Sequence, residues 1–311
     1  MKKPKYSIII PTMGRIQDLK NCIDSFKKQT LKNFEIIVSD DSIEKKISKK
    51  IKEITKKYHV KYVKTRGKQG TAKTVNLGAK TAIGDFIVST DDDCIYDKKF
   101  LEFVDTSFKK NKRIASVGGL IVGLGPKPKT KSSYLINNII TELPSMIFLL
   151  FRKKIGGLIL PTGSTKAFLN KEGFAYVDWL SGGSFVMKKE IWDKVGGFDE
   201  NFDATGYSTE PDIHYRVKKL GYLVYYNSKI KCLHNFSTVG HDIKKRNYLI
   251  QKHCTYFEFK NTKNPLKFML VSFNHIWKLI FIWLCSLKSD IKKYELKGRR
   301  EGYKLYLKTK N

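Results

Sequence analysis

Between residues 6 and 90, short apolar runs alternate with segments whose apolar residues recur every three or four positions. Tyr6–Pro11 (YSIIIP), closed by Pro11 and Gly14, and Phe34–Ser39 (FEIIVS) predict two buried strands. Val60–Val63 predicts a short third strand and Asp85–Thr90 (DFIVST) a fourth. Leu19, Cys22, Ile23 and Phe26 predict a helix over Asp18 to Lys28. Ile47, Ile51 and Ile54 predict another on a Lys-rich segment with solvated outer faces, and Thr71–Ala82 predicts a third. This alternation predicts an α/β fold, with a mostly parallel central sheet and helices on both faces. Ligands of such sheets bind beyond the carboxyl ends of the strands.

Two later segments break the pattern. Tyr134–Phe151 is greasy, contains Pro144 and runs into Arg152, Lys153 and Lys154. Phe268–Leu287 is twenty residues long, about 30 Å as a helix, enough to span a bilayer. However, Lys267, Asn274, Lys278, Ser289 and Lys292 fall on one narrow stripe at ~100° per residue. A Lys in mid-span is costly in lipid, so a helix lying in the membrane interface or packed under another element fits better. Lys288 to Asn311 predicts a polar helix with Tyr294, Tyr303 and Tyr306 packed against something. The domains are expected to be 1–240 and a helical, Lys-rich 241–311.

Charge narrows the partners. The 311 residues carry 60 Lys and Arg against 29 Asp and Glu, a net +31, and only eight of the cations are Arg. Bidentate base and phosphate recognition favours Arg, so no nucleic-acid partner is expected. An anionic membrane surface is, at ~1 kcal/mol per Lys near anionic lipid. Five cysteines without a CxxC pair exclude a disulfide scaffold and a Cys-based zinc site. The basic start runs straight into a strand with no signal-peptide core. A cytoplasmic protein, peripheral on the inner face of the cell membrane, is the expectation.

The chemistry is expected at two acidic strand ends. FEIIVS is followed by Asp40, Asp41 and Ser42, and DFIVST by Asp91, Asp92 and Asp93, on the same rim of the sheet. Crowded carboxylates raise each other's pKa unless something positive sits between them. A hard divalent cation, completed by substrate phosphates, resolves the repulsion.

With SIIIPTMGR (7–15), FEIIVSDDS (34–42), GTAKTVNLGAKTAIGDFIVSTDDDC (70–94), WLSGGSFVMKKEIWDKVGGFDENF (179–202), TEPDIHYRVKKLGY (209–222) and IKCLH (230–234) in order, the chain resembles the family 2 glycosyltransferases. These are inverting enzymes of the GT-A nucleotide-sugar-binding fold, and the resemblance covers about three quarters of the sequence. It implies that Asp41 binds the nucleotide base, with Pro11, Thr12 and Arg15 at the same end. Asp91 and Asp93 match the family's D-x-D, so Asp93 ligates Mg²⁺ or Mn²⁺ and Asp91 holds the metal or the ribose, with Asp92 beside them. His234 matches the late histidine that reaches the metal or diphosphate. Asn76 lies by the nucleotide; the Arg usual before it is Val75 here, with Lys73 as the substitute.

Inverting transfer needs a carboxylate for the acceptor proton and a cation on the leaving phosphates. Where the family carries Glu-Asp before a helix, this chain has Thr209-Glu210-Pro211-Asp212. Counting back from Arg216 puts Glu210 on the base position, with Asp212 in reserve. Pro211 suits the first turn of that helix. Gly182 and Gly183 would let backbone approach the donor, while Trp179 and Asp178 are candidates for sugar contacts; Asp199 reads as a turn residue. The expected reaction moves a sugar from a nucleotide sugar, a UDP-sugar first among them, to a polyprenyl-linked or cell-surface glycan. Direct transfer to a polyprenyl phosphate would call for a greasier tail. A nucleotidyltransferase would call for a richer loop than Pro11-Thr-Met-Gly-Arg15. A decayed transferase that binds polyanions is disfavoured by the intact Asp91, Asp93 and Glu210.

Overall fold

The computed structural model describes residues 3–123, 142–235, 242–287 and 289–310. They divide into two compact units. The first comprises 3–123, 155–157 and 167–235; the second comprises 142–154, 158–166, 242–287 and 289–310. The expected boundary near 240, residues 134–141 of the first greasy segment, Lys288 and Asn311 lie outside the described residues.

The first unit is built on a nine-stranded sheet. Its elements in chain order are β1 (Tyr6–Thr12), α1 (Ile16–Lys27), β2 (Phe34–Asp40), α2 (Lys45–Lys57), β3 (Lys61–Lys64), α3 (Thr71–Lys80), β4 (Phe86–Ser89), β5 (Cys94–Tyr96), α4 (Phe100–Phe108) and β6 (Ile114–Val122). The strands β7 (Gly156–Ile159) and β8 (Thr165–Phe168) pair separately and belong in part to the second unit, which takes 158–166. Then come β9 (Phe174–Tyr176), β10 (Phe185–Lys188), α5 (Lys189–Val195), α6 (Thr209–Lys219) and β11 (Leu223–His234). The order is β3-β2-β1-β4-β10-β6-β11-β5, with β9 on β11.

Strands β3, β2, β1 and β4 are mutually parallel, and β11 is parallel to β6, while β10 runs antiparallel between β4 and β6. Every residue of β1 is buried, as expected of a central strand covered on both faces. Leu19, Cys22, Ile23 and Phe26 of α1 are fully buried, and Ile51 and Ile54 anchor α2, leaving the lysines of that helix to water. The topology brings the ends of β1, β2, β4 and β11 and the start of the antiparallel β10 to one rim.

The second unit holds three long helices, α7 (Ile243–Lys260), α8 (Pro265–Ser286) and α9 (Asp290–Lys310). Asp242 caps α7 by accepting from the N–H groups of Lys244 and Lys245. Asn264 caps α8, with Pro265 in its first turn, where a missing N–H costs nothing. Phe259 of α7 packs on Tyr303 and Tyr306 of α9, with ring centroids 4.8 and 5.5 Å apart. Tyr294 is exposed, with the Lys244 ammonium 5.7 Å above its ring.

Candidate active site

The turn after β4 places Asp91, Asp92 and Asp93 at the centre of the rim. Thr12, at the end of β1, donates to Asp92 Oδ2 at 2.6 Å. Arg15, one turn further on, pairs with both Asp92 and Asp93. His234, the last residue of β11, sits opposite Cys94 in the β5–β11 ladder and puts Nε2 3.0 Å from Asp93 Oδ1. Burial pushes Asp92 up to about 7, against the opposing pull of Arg15 and Thr12, and burial likewise raises Asp91. For Asp93, burial is outweighed by His234 and Arg15, which hold its carboxyl below the usual range. Burial would lower His234, but its bond to Asp93 and the neighbouring carboxylates raise it.

Across the rim, the loop entering β10 meets the start of α6. A Cβ built on Gly182 would fall well within the 3.0 Å that real Cβ atoms keep from their neighbours, against Glu210 Oε1. One on Gly183 would lie 3.0 Å from Cys94 Sγ and 3.5 Å from Asp91 Oδ2. Two consecutive glycines thus separate Glu210 from the acidic turn with backbone alone. Glu210 accepts from the Gly182 N–H and from its own, and Thr209 Oγ1 lies 3.1 Å from Glu210 Oε2. Burial first, with the charge of Asp91 adding to it, pushes Glu210 up to about 7. A carboxylate poised near neutrality is what proton abstraction at physiological pH requires.

Several expected site residues have other partners. Asp212, two residues on and ~200° round the helix from Glu210, is fully buried, and its Oδ2 accepts from Arg216 Nε at 2.9 Å. Asp41 accepts from the N–H groups of Gln69 and Gly70, both at 2.9 Å, and so pins the loop leading into α3. Asp40 is fully buried and accepts from Tyr62 and the Ser42 N–H. Asn76 donates to Phe198 O and accepts from Phe198 N–H, both at 2.9 Å, tying α3 to the 198–200 turn. Asp199 accepts from the Asn201 N–H within that turn. Asp178 pairs with Lys218, and the Trp179 ring lies over Gly157, where a Cβ would strike it. Lys73 is exposed on α3, and Pro11 is buried in β1.

One ligand atom from each of Asp91, Asp93, Cys94 and His234 lies within 4.8 Å of the others. Two carboxylates and an imidazole at that spacing fit a Mg²⁺ or Mn²⁺ ion. Cys94 was not legible as a neighbour of this cluster from the sequence. Its place is set by pairing with His234, 140 positions away, and only the D-D-D-C string could have flagged it.

The nine-stranded sheet, parallel over β3-β2-β1-β4 with the antiparallel β10 inserted beside β4, defines a GT-A fold. Mannosyltransferase PcManGT from Pyrobaculum calidifontis, solved in complex with GDP-Man and Mn²⁺, superposes with a TM-score of 0.57 at 12% identity, covering 100% of this chain and 89% of that one. Residues 7–174 match Glycosyl transferase family 2, and the chain belongs to that family. Over 318 residues it is 26% identical to a Methanococcus voltae enzyme named dolichyl N-acetyl-alpha-D-glucosaminyl phosphate 3-beta-D-2,3-diacetamido-2,3-dideoxy-beta-D-glucuronosyltransferase, covering 96% of this chain and 89% of that protein. It is 30% identical over 108 residues to an uncharacterized glycosyltransferase of Haemophilus influenzae, which is 35% of this chain and 36% of the relative. The chain spans no more than 36% of the length of the curated relatives it matches from Haemophilus and Rickettsia.

Proposed function

We propose that the protein transfers a sugar, with inversion, from a nucleoside diphosphate sugar to a hydroxyl of a lipid-linked or cell-surface glycan. The observation that carries this reading is the placement of Glu210 against Gly182, one residue from the glycine that touches Asp91. Glu210 takes the proton of the acceptor hydroxyl as its oxygen bonds to the anomeric carbon. The bond from that carbon to the nucleoside diphosphate breaks on the opposite face, with its electron pair leaving on the phosphate. Asp91, Asp93 and His234 would hold Mg²⁺ or Mn²⁺, which when bound supplies positive charge to the leaving diphosphate. Arg15, Thr12 and Asp41 border the nucleotide end in this reading, with a UDP-sugar as the first donor to test. The Methanococcus relative's lipid-linked acceptor and the net charge of +31 support work at the inner face of an anionic membrane.

The test is thermal stabilisation by UDP, GDP, dTDP and CDP, each with and without Mn²⁺. One nucleotide is expected to stabilise the protein only with metal, and Asp93→Ala to abolish the effect. No metal-dependent stabilisation by any of the four would overturn the reading.

A further inference from the structure

Helix α8 is inside out. Its polar residues Asn274, His275 and Lys278 are buried, whereas Leu266, Met269, Phe273, Ile276, Ile280 and Trp283 are each more than half exposed. The buried face is fully engaged within the second unit. Lys278 Nζ lies 2.8 Å from Glu142, 3.2 Å from Glu258 and 2.8 Å from Ser164 Oγ. Arg299 of α9 reaches Glu258 at 2.8 Å and His275 at 2.8 Å, and Asn274 meets Ser164 at 3.2 Å. The two mid-helix residues of the stripe that looked costly for a membrane helix, Asn274 and Lys278, are therefore turned inward and paired. The segment tied to it through Glu142 also exposes Leu150 and Phe151, at 75% and 85%.

A contiguous apolar face of this size marks an interaction site. A coiled-coil seam is a narrow stripe flanked by charges. Here the flanking positions are Leu270, Trp277 and Phe281, and the sole charge between residues 268 and 287 is the inward Lys278. A true span would draw the Lys-rich α7 and α9, which pack on α8, into hydrocarbon. The surroundings are basic: residues 242–311 hold 17 Lys and Arg against five Asp and Glu. Beside the first turn of α8, a groove of about 600 Å³ combines Lys260, Lys263 and Lys310 with Phe268 and Met269. Ammonium groups beside apolar walls suit a phosphate joined to an acyl chain.

We propose that α8 lies flat in the interface of an anionic phospholipid bilayer, its apolar face in the acyl layer and lipid phosphates at Lys260, Lys263 and Lys310. The inference rests on the peripheral placement proposed above and names the face that makes it. The full chain should float with vesicles of phosphatidylcholine mixed with phosphatidylglycerol. The triple variant Phe273→Glu, Ile276→Glu, Ile280→Glu changes only exposed positions and should stay at the bottom of the gradient. Lys260→Gln, Lys263→Gln, Lys310→Gln together should lose about tenfold or more of the preference for these vesicles over pure phosphatidylcholine. Flotation of the triple Glu variant equal to wild type would overturn the inference, as would a wild-type dimer that this variant splits without changing flotation. Wild type that never floats overturns the peripheral placement too. Metal-dependent nucleotide binding, read on the same samples, reports the transferase reading separately.

Discussion

Glu210 occupies the space that a side chain at position 182 would need: its Oε1 lies where a Cβ on Gly182 would project. The position of the candidate base is therefore set by a missing side chain on another loop. Gly182→Ala should push the carboxylate aside. A misplacement of about 1 Å costs on the order of 100-fold in rate. We expect a fall of that size in kcat with metal-dependent nucleotide binding retained, measured by steady-state kinetics beside thermal shift.

Glu210→Gln keeps the shape and removes the proposed base. The expected loss in kcat is about 100-fold to 10,000-fold, again without loss of nucleotide binding. A carboxylate base acts ionised, so if Glu210 fills that role the rate should rise with pH through about 7, the value to which burial pushes it. The groups facing it are Thr209, the Gly182 N–H and Asp91. A pH–rate profile lacking this ascending limb would remove Glu210 from the role.

Asp212 should behave differently from Glu210, because its carboxylate is held by Arg216. Asp212→Asn is expected to lower stability by about 2 kcal/mol through the weakened charge-assisted bonds. Its pH–rate profile should keep the midpoint of the parent. A loss of activity like that of Glu210→Gln, without a change in melting temperature, would reassign the base.

The ion cluster beneath α8 predicts acid sensitivity. Burial would raise Glu258, but Lys278 and Arg299 hold it down at about 2. Its folded pKa lies below the ordinary 4.5 of Glu, so the unfolded chain binds more protons between these values. The stabilisation is present above pH 4.5 and is lost as pH falls toward 2. Lys278→Ala should cost about 3 kcal/mol, the low end for breaking a buried pair, since Glu258 keeps Arg299 and Glu142 keeps Lys166 while both lose their shared partner. Chemical denaturation at neutral pH measures this, and repeating it under acid should shrink the difference between variant and parent.

Much of the architecture was readable from local pattern. The apolar runs of β1, β2 and β4 and the helical spacing in α1 to α3 are local signals, and the acidic residues that follow β2 and β4 are adjacent to them in sequence. Glu210 was singled out through its place before Pro211 and Arg216, and the structure sets it against Gly182. What lay beyond reach were contacts across strand pairings remote in sequence. Arg15, expected at the nucleotide end, also pairs with Asp92 and Asp93, a contact that the sequence did not show. Asn76, expected beside the nucleotide, is bonded to Phe198, and Asp178, expected at the sugar, is paired with Lys218. Each is a polar group with more than one partner within reach, and chain order does not rank those partners.

The sequence by itself determined the parallel βα framework, the acidic rim and the apolar length of α8, because burial periodicity and strand-end chemistry are properties of neighbouring residues. Tertiary structure decided which way the mid-helix polar residues of α8 face and which carboxylate lies against the glycine loop at the rim. Lys278 turned inward because Glu142, Glu258 and Ser164, drawn from three separate stretches, converge on one point. Glu210 rather than Asp212 faces the rim because Arg216 engages one and Gly182 makes room for the other. Such outcomes depend on the summed free energy of groups far apart in the chain, and only the folded molecule brings them within a few ångströms.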